Sequence, residues 1–215
     1  ATRFASDLSL FLGGVRTFYY PPPESSPYEG LTPDPDSSAM RICALAALEN
    51  RSGPVIFPCE ALLHPAPSPA RIGRWTWQVV RGQELDRDSL ISRLLQMGYR
   101  REPVATQVGE LAVRGGIIDV FSPSGESPVR LEMWEDRIHS LRTYDTQTQR
   151  SGQPLERGVI LPVSELLLDE EERKEAAVKL AKHLALSGVS SKERERLNYG
   201  FQDHMDLPGA GLLLP

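Results

Sequence analysis

The sequence predicts a mixed α/β chain, with a small α+β unit between an α/β stretch and a helical stretch. Three observations predict it. Over residues 1–80, helical and strand patterns alternate between Pro and Gly clusters. Over residues 81–158, one apolar-striped helix precedes four short β-prone runs, the makings of one α+β layer. Over residues 159–215, two helix-start patterns precede helical spacing. At 215 residues the chain has room for one or two domains.

The elements follow in order. Leu8, Leu10, Phe11 and Leu12 give Asp7–Leu12 a helical pattern, and Gly13-Gly14 ends it. Val15 to Tyr20 is β-prone and is stopped by Pro21-Pro22-Pro23, which offer no ladder N–H groups. Pro21 to Asp36 is a loop rich in Pro, Ser and acidic residues. Asp36 or Ser37 can cap a helix reaching about Leu48, with Met40, Cys43, Ala44, Ala47 and Leu48 on one side. Pro54 to Pro58 is a short buried-strand candidate. Pro65 to Pro69 is a turn-rich joint, and Arg74 to Val80 is another strand.

In the middle unit Asp86 is a good N-cap. Leu90, Ile91, Leu94, Leu95 and Met97 form the stripe, and Gly98 stands where a helix C′ residue belongs. Four strand candidates follow: Leu111–Arg114, Ile117–Phe121, Val129–Trp134 and Ile138–Tyr144. They are divided by Gly115-Gly116, by the loop from Ser122 to Pro128, and by a tight turn at Glu135-Asp136. In the last stretch Asp169-x-x-Glu172 is a capping box. Acidic residues follow at the helix start, and Lys179, Lys182 and His183 lie near its end. Ala176, Ala177, Leu180 and Leu184 supply its apolar face, and Ser190 and Glu193 form a second box.

Composition excludes several classes. Apolar residues are 40% and charged residues 25%, ordinary for a globular protein. The 24 Lys+Arg against 29 Asp+Glu give −5, so there is no global basic footprint for nucleic acid. Two cysteines, Cys43 and Cys59, are too few for a disulfide scaffold; they fit a reducing compartment, with one bridge between them as the alternative. No run of about 18 apolar residues suggests a membrane span. The start, Ala1-Thr2-Arg3-Phe4, lacks both Met and a signal-peptide core, so the chain is expected to begin inside a longer one. There is no phosphate loop, no metal-ligand spacing and no nucleophile elbow. Asp169 to Glu172 reads as a solvated helix start rather than a helicase acidic box.

What remains is a cluster of arginines. If Val129, Leu131 and Met133 face the core, Arg130 and Glu132 share the opposite face. Arg114 ends a nearby strand, and Arg100 and Arg101 follow Gly98 at the start of the sheet. The expected product is an exposed guanidinium cluster in which Glu132 holds Arg130 or Arg114 in a ready rotamer. Arginine's planar fork suits such recognition. Ordinary solvated charges on a strand face are the competing reading, each pair worth about 0–1 kcal/mol.

The residues also resemble a known family. The carriers are Gly98-Tyr99, Gly109 to Phe121, Pro128 to Glu132, and Ser140 to Ser151. They look like the UvrB-homology N-terminal region of bacterial transcription-repair coupling factors (Mfd). Weaker likeness extends to Tyr28–Asp36, Leu161–Glu165 and Pro208–Pro215. The resemblance implies a partial helicase-like α/β layer, residues 1–80 and 159–215, related to the first helicase domain of UvrB with its ATP-binding motifs degenerate or lost. The α+β unit, residues 81–158, is implied to be an inserted UvrA-binding domain. Its implied contacts with UvrA are Arg101, two residues after the tyrosine, Arg114, and Arg130 and Glu132 of the Arg-x-Glu strand. Ala112, where UvrB has arginine, and the absence of a Tyr-rich hairpin start in Pro21–Glu29 favour a coupling factor over UvrB.

The expected function is thus a non-catalytic interaction module that recruits UvrA to stalled RNA polymerase in nucleotide excision repair. The alternative is a UvrB-like DNA-binding ATPase fragment. ATP and Mg belong to the motor of the full-length family, and none is expected to act here. RNA polymerase and DNA would be met through other parts of a longer protein. The setting implied is the bacterial cytoplasm.

Overall fold

The computed structural model describes residues 2–23, 34–124, 127–186, 190–192 and 194–195. The loop from Tyr28 to Pro33, Glu193 of the second capping box, and the Pro208–Pro215 run lie outside the described residues. The fold is mixed α/β, as expected from the alternating patterns.

Helix α1 (Thr2–Phe11) begins five residues before the expected Asp7 and ends where Gly13 and Gly14 take positive φ. The β-prone run that follows is reduced to β1 (Phe18–Tyr19). It pairs in parallel with β2 (Val55–Ile56), and proline lies on the outer side of each. Helix α2 (Pro35–Asn50) corrects two expectations. Its cap is Asp34, whose carboxylate accepts the Ser37 N–H at 2.8 Å, with Pro35 at the first helical position. Its buried side is Arg41, Ile42, Ala44, Leu45 and Ala47, whereas Met40 and Leu48 are exposed. Of the expected stripe, Ala44 and Ala47 are buried and Cys43 packs half-buried against the core, but the buried side is completed by Arg41, Ile42 and Leu45 rather than by Met40 and Leu48.

Ser68 and Pro69, expected as a joint, instead cap and start α3 (Pro69–Trp75). Arg74 and Trp75 are therefore helical, and β3 is only Trp77–Val80. Helix α4 (Arg87–Gln96) starts on Asp86 as expected, and Gly98 follows it with φ 92°. The main sheet then forms: β4 (Arg100–Arg101), β5 (Glu110–Arg114), β6 (Ile117–Val120), β7 (Val129–Trp134), β8 (Arg137–Tyr144) and β9 (Ser151–Pro154), in that spatial order. The four expected strands are its centre. Two short edge strands join them, and β4–β5 is parallel while every other pair is antiparallel. Strand β10 (Arg157–Ile160) was not expected. It pairs antiparallel with β3, so the chain departs for the sheet and comes back from it at adjacent points. Helix α5 (Glu170–Leu186) closes with the expected reciprocal box: Glu172 N–H to Asp169 at 2.9 Å and Asp169 N–H to Glu172 at 3.0 Å.

The core is continuous. Leu90 and Leu94 of α4, with Met97 just beyond it, share one buried cluster with Leu111, Ile118, Leu131, Ile138 and Leu141 of the sheet and with Tyr20, Ile42, Ile72 and Val79. Residues 161–172 strap the two sides together. The amides of Val163 and Ser164 donate to Met97 O, and the Tyr99 hydroxyl donates to Leu161 O at 2.7 Å. The Arg41 guanidinium binds the Glu165 carboxylate, and Arg71 holds Glu172 with both Nη atoms at 2.9 Å. Among the described residues, no helix is long and apolar enough to cross a membrane.

Candidate functional site

Register builds the site. Ala112, Asp119, Arg130 and Arg142 form one row across β5–β8, and Arg114, Ile117, Glu132 and Ser140 form the next. Residues in register on a pleated sheet share a face. The face opposite the core therefore carries Arg114, Arg130 and Glu132 together, as the alternation of β7 predicts.

The centre of this face is Asp119, which is fully buried. Its carboxylate accepts from Arg130 Nε at 2.6 Å and Nη2 at 2.9 Å, a bidentate fork, and from Arg114 Nη2 at 2.5 Å. Arg130 Nη1 donates to Gln149 O at 3.0 Å and Ser151 Oγ at 3.1 Å, and its guanidinium lies 4.9 Å from the Tyr144 ring centroid. The hydrogen bond to Asp119 raises the Arg130 pKa above its ordinary value. Burial raises that of Tyr144, whose hydroxyl donates to Ala105 O at 2.7 Å.

Three expectations need correction. Arg130 is not an exposed contact residue: only 8% of its side chain is accessible, against 42% for Arg114. The turn 145–149 folds over it. That turn is held by Asp145, which accepts the amides of Gln147 and Thr148, and by Gln149 at φ 60°. Nor does Glu132 hold the arginines: Asp119 does, and Glu132 stands half-buried beside Ile117 and Ser140. Arg101 is exposed on β4, but its register partner is Leu111, a core residue, so it lies on the opposite face of the sheet from Asp119. On that edge strand the residue in register with the Asp119 side is Arg100.

Sequence reasoning missed Asp119, Tyr144, Gln149 and Arg142. Asp119 had a signal, a lone carboxylate in the run Ile117-Ile118-Asp119-Val120-Phe121. Arg142 stands directly opposite Arg130. Like charges so placed repel, and the buried carboxylate offsets them. Arg114 is thus held over a fixed ionic base with 42% of its side chain open to solvent, while Arg142 is half-buried and donates from Nε to Ser140 Oγ at 3.2 Å. A guanidinium held in this way can donate to carboxylates and carbonyls. Among the described residues, no group of His, Cys, Asp and Glu is arranged to hold a metal.

Residues 78–166 match the family described as the UvrB interaction domain. The whole chain is 36% identical over 229 aligned residues to part of a transcription-repair-coupling factor of Myxococcus xanthus, of which it covers 19%. It is 29% identical over 87% of its length to that of Bacillus subtilis (strain 168), covering 16%, and 33% identical over 80% to that of Staphylococcus aureus (strain MSSA476), covering 15%. The chain thus spans less than a fifth of the length of these relatives.

Proposed function

This chain is a counterpart of the UvrB-like N-terminal region of transcription-repair coupling factors, and on that premise we propose that it is a docking module for UvrA. One observation carries the reading: within the stretch matched to the UvrB interaction domain, a buried Asp119 presets Arg130 and Arg114 on one sheet face. Fixing long side chains beforehand lowers the ordering cost of binding. In this reading Arg114 makes the direct contact, Arg130 positions it through Asp119, and Glu132 bounds the face. Arg101 contributes around the sheet edge.

The wider assignment goes with it. Residues 81–158 are the docking unit, inserted into a helicase-like α/β layer made of residues 1–80 and 159–215. The paired β3 and β10 support this, since they bring the two ends of the insertion together. The module acts in transcription-coupled nucleotide excision repair in the bacterial cytoplasm without catalysis of its own. ATP, Mg, DNA and RNA polymerase engage other parts of a full-length protein.

The test is capture of UvrA. Arg114→Ala removes the guanidinium, and Arg114→Glu reverses its charge. Losing one partner of a desolvated interfacial pair costs about 2–5 kcal/mol, enough to abolish a pull-down. Both variants should keep the parent circular dichroism spectrum. Undiminished capture by both folded variants refutes the assignment.

A further inference from the structure

At the end of the β7–β8 hairpin, Trp134 is 70% exposed. Tryptophan is on average among the more buried residues and is strongly enriched at binding hot spots. The surroundings of this one are built rather than incidental. Pairing between the strands slips at Glu132/Met133: Glu132 pairs with Ser140 and Met133 with Ile138, leaving His139 as the additional residue. The bulge brings the His139 ring edge-on to the indole, with centroids 6.0 Å apart and planes at 65°.

The two rings line a cleft of about 600 Å³ with Glu84, Glu135, Asp136 and Arg137. Its far wall is fixed to β8. The Leu85 N–H donates to Asp136 O at 2.8 Å, the Ile138 N–H to Gln83 O at 2.9 Å, and Arg137 Nη2 to Glu84 at 2.6 Å. That ion pair uses the cleft's arginine. Among the described residues, Glu135 and Asp136 make no ion pair. Three carboxylates against one guanidinium give the lining an acidic excess.

An indole face amid unpaired carboxylates attracts a cation through the ring quadrupole and through charge. We infer that this cleft receives an arginine or lysine side chain from a basic segment of a partner protein. The sign is opposite to that of the Arg114 face, so the inference does not depend on UvrA docking there. It adds a second contact point of complementary chemistry on the same domain.

The test is a titration of the ¹⁵N-labelled chain, following its indole N–H signals, with a pentapeptide carrying one arginine between paired glycines. The Trp134 signal should shift saturably, those of Trp75 and Trp77 should not, and 0.5 M salt should weaken the response. The same peptide with lysine should bind, and with glutamate should not. Glu135→Gln with Asp136→Asn should raise the apparent Kd about fivefold or more. Arg114→Ala should leave the titration unchanged while losing UvrA, which separates the two readings. The inference is overturned by a shift that never saturates, by an equal response to a leucine peptide, or by affinity unchanged in the carboxylate variant.

Discussion

Asp119 makes the sharpest demand of any single residue. It is fully buried and serves two arginines, one of them almost as buried. Removing one partner of such a pair strands the other charge, at about 3–5 kcal/mol. Asp119→Ala should lose that much in urea unfolding. By contrast Asp119→Leu with Arg130→Met, which removes both charges, should recover most of it and still fail to capture UvrA. Equal stability of Asp119→Ala and the parent would mean that the network is not the brace described. At this scale the sequence is only half legible. Alternation in β7 puts Arg130 and Glu132 on one face, but alternation names a face and not a partner, so the role given to Glu132 belongs to Asp119. Arg101 was misplaced because nothing in a two-residue edge strand announces a parallel register. The depth of Arg130 was also hidden, since it depends on a turn 15–19 residues further along the chain.

Elements were more legible where a cap or a turn fixes them. Asp86, Gly98, Glu135-Asp136 and the Asp169–Glu172 box all stand where local chemistry predicts. Failures came where a signal was read as loop, as at Ser68-Pro69, or where a strand exists only through a distant mate, as with β10. Gly98 does more than end a helix. A Cβ there would meet Ser164 Cβ at 2.6 Å, at φ 92°. Gly98→Ala should therefore cost about 1–3 kcal/mol, read as a lower urea midpoint. Helix α5 offers a pH test. The Arg71 guanidinium, which hydrogen-bonds Glu172, lowers that carboxyl's pKa below its ordinary value. A lowered folded pKa gives stability that is fully present above the unfolded value of about 4.3. That stability is lost as pH falls through the lower folded value. Glu172→Gln should thus be less stable than the parent at pH 7 by about 1 kcal/mol. The gap should close below pH 4 in paired thermal melts, and a constant gap would contradict the linkage.

For the whole molecule, the continuity of the core is what matters. One buried cluster runs from Tyr20 through Ile72 and Leu111 to Leu167, and the strap over residues 161–172 ties both sides of it. Far-UV dichroism and tryptophan emission should report one coincident unfolding transition, with two separated midpoints arguing for independent folding of the sheet unit. This level was the least legible in advance. Composition and pattern give the layers, but the shared core depends on side chains such as Arg41 and Tyr99 reaching residues far off in the chain.

The pairing of β3 with β10 has a mechanical consequence. Besides the shared core, the sheet unit is joined covalently to the rest by two backbones side by side, about 4.8 Å apart, and the ladder continues through the Arg81 N–H bond to Glu156 O. A single connecting strand would swivel freely about its bonds, whereas a hydrogen-bonded ribbon resists twisting and bending. A pull on the sheet unit loads both backbones in the same direction, so tension is shared between covalent chains and the ladder is spared shear. A force applied to the arginine face therefore reaches the rest of the protein through a stiff two-ply tether as well as through the shared core.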